Sequence, residues 1–260
     1  LPLFLIQKCN SFSYGLKNIL MRGYSAVLVV ALLILLSACN NGGESSIDDN
    51  DRLVVAMPTF GEFTFLPWNG STGRKLYLDP IYSYLLYIDP ENGELLPGIA
   101  QSWEVSEDGK THTLHLRQGL QFQQGWGEIT STDIQFSIEQ MIAPEAIAGP
   151  SSVLRRTIQE VRAPDPYKVE IELSIPDVDF IRGYLSNGQS LMIVSKSYFE
   201  AVGQEQANNQ PIGSGAYEIS EYDKDVSITL RLRGDRENLW RTSPDFQEIH
   251  FLAAPVEFTR

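Results

Sequence analysis

Cys39 is the residue with the clearest chemistry. Its thiol follows Leu36-Ser37-Ala38 at the end of an eleven-residue apolar run, Ala26 to Leu36, and the polar stretch Asn40 to Asp51 comes after it. Met21 and Arg22 open a short basic segment ahead of that run. A spanning helix needs about 20 apolar residues, so the run reads as an export signal and not as a membrane span. Small residues stand at the cleavage point directly before Cys39. A core helix ending in a free thiol is the competing reading, but nothing about the run is amphipathic. Leu1 to Leu20 then reads as sequence upstream of the true start.

Other side chains offer less. His112, His115 and His250 are the only histidines, and the first two point to opposite faces if their segment is a strand. Zinc would lack further ligands of suitable spacing, so no metal site is expected. Asp89-Pro90-Glu91-Asn92-Gly93-Glu94 carries oxygen ligands and a glycine, but Pro90 and the lack of a downstream Glu spoil a calcium loop, and a solvated turn fits better. Gly213-Ser214-Gly215 is not a nucleophile elbow, and no histidine is placed to activate Ser214, so its glycines are expected to permit a special backbone turn. Pro150 to Arg156, with two arginines, reads as a solvated loop. No catalytic residue and no cofactor is expected, and the chain does not read as an enzyme.

The box ahead of Cys39 resembles the lipobox of bacterial lipoproteins. Removing residues 1–38 discards three cations and no acid, which takes the formal charge from -13 to -16. So acidic a chain does not seek nucleic acid or an anionic bilayer surface, which leaves a lipid on Cys39 as its only membrane contact. Cys9 lies in the discarded segment, so the exported part holds no disulfide and must be stabilised by an apolar core.

Around these groups the chain reads as mixed α and β. Residues 39–51 form a flexible tether. Arg52 to Met57 is an apolar, Val-rich run expected to be a buried strand, and Pro58 to Gly73 interleaves Gly, Pro and aromatics in a long loop. Tyr77 to Ile88 has helical spacing. Ser102 to Val105 and Thr111 to Leu116 alternate as a hairpin across Glu107-Asp108-Gly109-Lys110. Thr130 and Asp133 resemble a capping box, ahead of a helix with Ile134, Ile138 and Met141 on its apolar face. Lys168 to Leu173 follows the Ala163-Pro164-Asp165-Pro166 turn as a strand. Phe180 to Leu185 and Tyr198 to Val202 look helical, and Val226 to Leu232 and Glu248 to Leu252 look extended.

Four segments, in order, resemble the peptide/nickel class, family 5, of extracellular solute-binding proteins, the external receptors of ABC importers. The first is LPGIAQSWEVSEDGKT, Leu96 to Thr111, continuing to Leu116-Arg117. The second is Gly119 to Gly125 running into Thr130-Ser131-Thr132-Asp133-Ile134-Gln135-Phe136-Ser137. Pro211 to Tyr217 (PIGSGAY) is the third, and Asn238-Leu239-Trp240 with Ile249 to Phe251 the fourth. Ala216 stands where the family usually has Pro, and Gln123-Gln124 replaces a His-Asp pair. Both changes lie in loops where either choice can hold the turn. Family members continue past the position matching Arg260 into a second lobe, so the chain reads as truncated near the hinge.

The resemblance implies a type II periplasmic-binding-protein-like lobe that captures oligopeptide-like solutes by lobe closure and delivers them to an inner-membrane ABC permease. It implies a lobe core from 52–72 plus 178–260, with a family-specific subdomain, 73–177, inserted into it. The location implied is the cell envelope, in the periplasmic space and anchored by lipid. The loop after the first strand then lines the cleft, with Glu62, Phe63, Thr64 and Phe65 at the ligand and Trp68 nearby. The Tyr184 to Gln189 turn, with Asn187, Gly188 and Gln189, is a second wall. By residue type alone, Phe63, Phe65 and Trp68 are equally core residues under a loop. The alternative function is an envelope lipoprotein that acts as a sensor or protein-interaction module without transport.

Overall fold

The computed structural model describes residues 51–70, 72–188, 191–241 and 243–254. Cys39, the export segment and most of the tether lie outside the described residues, as does Gln189. Two four-stranded sheets organise the rest. In chain order the elements are β1 Arg52–Met57, α1 Lys75–Leu78, β2 Leu86–Ile88, β3 Leu95–Pro97, β4 Ala100–Val105 and β5 Thr111–Leu116. There follow α2 Ser131–Ile142, α3 Ser151–Thr157, β6 Ile158–Asp165, β7 Lys168–Leu173, α4 Phe180–Tyr184 and α5 Lys196–Asn209, with β8 Tyr217–Asp223, β9 Ser227–Leu232 and β10 Glu248–Ala253 closing the series. No described helix is long and apolar enough to cross a membrane.

One sheet has the order β1-β10-β9-β8 and joins the first strand to the last. β1 runs parallel to β10, and the other pairs are antiparallel. β1 forms as a strand but is not buried as expected: it holds the sheet edge and leaves Leu53 37% and Val54 55% exposed. An unbroken apolar run suits a strand covered on both faces, yet only β10 flanks this one. Arg52 Nε reaches the buried Glu248 carboxylate at 2.5 Å, which fixes the start of the pair.

The other sheet, β4-β5-β7-β6, is antiparallel throughout. β5 and β7 both alternate between half-buried and buried positions, as the sequence pattern requires of strands with one covered face. His112 is accordingly buried and His115 half exposed. α2 packs on this sheet through Ile134, Ile138 and Met141. Its start is the expected capping box: the Thr130 N–H donates to Asp133 Oδ2 at 2.9 Å. The other oxygen, Oδ1, accepts from the Lys196 N–H at 2.9 Å, so one carboxylate ties the starts of α2 and α5. Burial raises the pKa of this carboxyl, against the opposing effect of those hydrogen bonds.

Three expectations are corrected. Tyr77 to Ile88 is not one helix: α1 stops at Leu78 and the chain becomes extended at β2. Pro80 disfavours helical geometry just before it, and Ile81 to Tyr87 are all buried, so their spacing carries no helical face. Pro150 to Arg156 is not a solvated loop but the start of α3, with Leu154 buried. Arg155 Nε donates to the Ile142 carbonyl at 2.8 Å. β6 runs through Ala163 and Pro164 across a register irregularity, so the turn is shorter than four residues.

Candidate functional site

After β1 the chain enters the aromatic loop. Phe60, Phe65, Leu66 and Trp68 turn inward, whereas Glu62 is exposed and Phe63 and Thr64 are half-buried. The loop is held from beneath by Arg74, only 1% exposed, which donates to the carbonyls of Leu66 at 2.8 Å, Thr64 at 3.3 Å and Pro67 at 3.4 Å. Burial lowers the pKa of Arg74, partly offset by Tyr77 and Glu62 nearby. Tyr77 Oη also donates to the Thr64 carbonyl at 3.3 Å, and Tyr82 Oη to the Phe65 carbonyl at 3.0 Å. Desolvation drives the Tyr77 hydroxyl up to about 12, so it stays a donor. Gly70 is required where the loop closes: its φ is +117°, and a Cβ there would lie 2.9 Å from both Arg74 Nε and Glu62 Oε2.

α5 supplies the facing side. Asn208 Oδ1 accepts from Thr64 Oγ1 at 2.6 Å and from the Phe65 N–H at 3.0 Å. Phe63 stacks edge-on to Phe65 with centroids 5.2 Å apart and lies 5.3 Å from Tyr222. Between loop and helix opens a cavity of about 610 Å³, lined by Glu62, Phe63 and Thr64 together with Ile147, Gln204 and Asn208. Such a surface offers one apolar face, amide groups and two carboxylates, Glu62 and Glu205, a mixture suited to a polar solute with apolar parts.

The expected residues divide. Glu62, Phe63 and Thr64 share that cavity. Phe65 and Trp68 are 1% and 3% exposed and pack beneath it, Trp68 edge-on to Phe136 and Phe199 with centroids 6.2 and 5.6 Å away. Tyr184, Asn187 and Gly188 do not line it. Their turn is instead clamped to β2: Asn187 Oδ1 accepts from the Ile88 N–H at 2.8 Å and the Asn187 N–H donates to the Leu86 carbonyl at 3.1 Å. Sequence reasoning missed Arg74, Gln204 and Asn208. Arg74 is one of two adjacent cations, with Lys75, after an aromatic loop, a weak signal, and the two amides come from a helix about 140 residues away in sequence.

Comparison with known proteins gives a consistent picture. The family model described as bacterial extracellular solute-binding proteins, family 5 Middle, matches residues 94–260. The dipeptide-binding protein of Escherichia coli (strain K12) is 29% identical over 195 residues, covering 68% of this chain and 36% of the relative. Di/tripeptide-binding protein 4 of Pseudomonas aeruginosa (strain UCBPP-PA14) is 26% identical over 224 residues, 78% of this chain and 41% of its own length. The chain thus spans less than half the length of these curated relatives. Among solved structures, the periplasmic binding protein DppA of Helicobacter pylori, in complex with the peptide STSA, is similar in fold. Its TM-score is 0.66 at 24% identity, covering 78% of this chain and 43% of that one. AgaA from A. tumefacien R10, in complex with agropinic acid, has a TM-score of 0.64 at 27% identity, covering 77% and 39%.

Proposed function

The chain belongs to the bacterial extracellular solute-binding proteins of family 5, and on that premise we propose that it supplies one wall of a peptide-binding cleft in an ABC-importer receptor. The observation that carries this reading is the open cavity of about 610 Å³ beside Glu62, Phe63 and Thr64, on a loop pinned from below by Arg74. Phe63 offers apolar contact, the Gln204 amide offers a donor and an acceptor and the Asn208 Nδ2 a donor, which a peptide backbone can meet whatever its side chains. Phe65 and Trp68 support that wall from the core. The turn from Tyr184 to Gly188, held to β2 through Asn187, lines no part of this cavity and serves as a separate wall of the cleft.

In this reading the sheet containing β1 and β8 to β10 belongs to the lobe core, 52–72 plus 178–260, and the sheet β4-β5-β7-β6 to an inserted subdomain, 73–177. The relatives' greater length supports a second lobe that closes over the solute by hinge motion. Lipid on Cys39 tethers the receptor in the periplasmic space, and the closed form delivers its solute to the permease. Binding and closure suffice, with no covalent step.

The test is titration of di- and tripeptides into the purified product of the full reading frame, comparing wild type with Phe63→Ala. The expected result is binding weakened about tenfold or more, equivalent to about 1.4 kcal/mol. Unchanged affinity removes the loop from the site, and no affinity for peptides in the wild type removes the solute class. Cys39→Ser is expected to leave the protein without its lipid, read by intact mass.

A further inference from the structure

We propose that a second cavity, beside the Tyr82 segment, binds a small organic carboxylate with an apolar body. It measures about 280 Å³, and its walls include Tyr82, Tyr87, Ser214, Leu239, Trp240 and Arg241. It shares no lining residue with the cavity at Phe63.

The wall carrying Ser214 is fixed by backbone contact. A Cβ at Gly213 would fall 2.0 Å from the Ile81 carbonyl oxygen, and one at Gly215 would fall 2.3 Å from that of Pro80. Only glycine lets these strands of chain touch. Gln123, fully buried, locks the same turn: its Nε2 donates to the carbonyls of Tyr217 at 2.7 Å and Gly215 at 3.1 Å, and its Oε1 accepts from the Gly213 N–H at 3.1 Å. That wall of the cavity is therefore preformed.

Most polar groups around it are already committed. Tyr82 Oη donates to the Phe65 carbonyl, Tyr217 Oη donates to the Phe246 carbonyl at 2.8 Å, and Tyr87 Oη accepts from the Tyr84 N–H at 3.3 Å. Two groups are not. The Ser214 hydroxyl is buried, at 2% exposure, and has no hydrogen-bond partner among the described residues. A buried hydroxyl left in that state costs free energy that a ligand oxygen would recover. The Arg241 guanidinium lies 3.6 Å from the centroid of the Tyr87 ring, which orients it without using its N–H donors. Asp79 also lines the cavity, but its charge is offset by Lys75, whose Nζ lies 2.8 Å away. With Asp79 paired to Lys75, Arg241 is the charged lining group that has no ion pair among the described residues. An oriented guanidinium matches a carboxylate, the Ser214 hydroxyl gives it a further donor, and Trp240 and Leu239 cover an apolar body.

Phenylacetate is the probe, with neutral phenylacetamide as its isostere, each titrated into the purified protein by ligand-observed NMR. Phenylacetate is expected to bind about tenfold more tightly than the amide, and Arg241→Gln is expected to abolish that preference. Ser214→Ala is expected to weaken phenylacetate severalfold while circular dichroism shows the fold intact, and Trp240→Ala to weaken both probes. Because Arg241 is exposed, its variant is expected to fold normally. No binding of phenylacetate up to about 50 mM overturns the proposal, as does a preference that survives Arg241→Gln or disappears in Phe63→Ala.

Discussion

The aromatic loop at 58–70 and the segment 213–241 are each pinned by an arginine removed from solvent, and the two cations are satisfied differently. Arg74, 1% exposed, spreads its donors over loop carbonyls at Thr64, Leu66 and Pro67. Arg233, 0% exposed, gives two hydrogen bonds of 2.6 Å to the carboxylate of Asp235 and reaches the carbonyls of Gly215 and Phe122 at 3.4 and 3.5 Å. The first arrangement ties a loop without secondary structure together, because one cation bonds three of its carbonyls at once, two of which also accept from Tyr77 Oη and the Asn69 N–H. The second neutralises a buried charge locally and leaves its acid partly in water. One cation organises backbone, and the other is organised by an acid two residues away.

That contrast can be broken in steps. Arg74→Met has the largest expected effect, about 3 to 5 kcal/mol of unfolding free energy, because three hydrogen bonds from one buried cation to loop carbonyls are lost together. Arg233→Met is expected to cost less, about 2 to 3 kcal/mol, since Asp235 stays 29% exposed and Asn238 Nδ2 still donates to it at 2.9 Å. Equal losses in urea denaturation would show that carbonyl-held and carboxylate-held arginines are worth the same here. A difference of the opposite sign would invert the comparison.

pH separates the two further. Hydrogen bonding to Arg233 holds the Asp235 carboxyl down to about 2, from 3.8. A depressed carboxyl stabilises the fold above its unfolded pKa, and that contribution is lost as pH falls from about 4 towards 2. Discounted for partial exposure, it amounts to about 1 to 2 kcal/mol. The stability gap between wild type and Asp235→Asn should therefore close over this range, and a gap independent of pH would remove the ion pair's role. Thr64→Val gives the smallest step, about 1 kcal/mol, through loss of its hydroxyl bonds to Asn208 and the Leu66 N–H. In peptide titration it should weaken binding more than it weakens stability if Thr64 faces solute.

Legibility followed locality. The hairpin of β4 and β5 was readable because alternation and the Gly109 turn, at φ +70°, both act within a few residues. The capping box at Thr130 and Asp133 was readable for the same reason, though the bond from the Lys196 N–H to that acid was not. The segment from Tyr77 to Ile88 misled because every residue from Ile81 to Tyr87 is buried, and a segment covered on all sides has no periodicity to read. At the candidate site, sequence and family resemblance pointed to Glu62, Phe63 and Thr64 but could not separate them from Phe65 and Trp68, since aromatics on one loop look alike until burial is known. The Gly213 and Gly215 pair was expected to serve a special turn. It serves close approach to the Pro80 to Tyr82 backbone, with neither residue at positive φ.

By itself the sequence determined the mixed α and β class, the strands β4, β5 and β7 of the second sheet, the capped helix and the family resemblance, all of which rest on short-range pattern. Tertiary structure alone decided that β1 lies at an edge beside β10, that Asn208 meets Thr64, and that Gln123 holds the turn at Gly213. Those pairings join residues about 90 to 200 positions apart, and they are chosen by packing the whole core and satisfying buried polar groups, which no local pattern encodes.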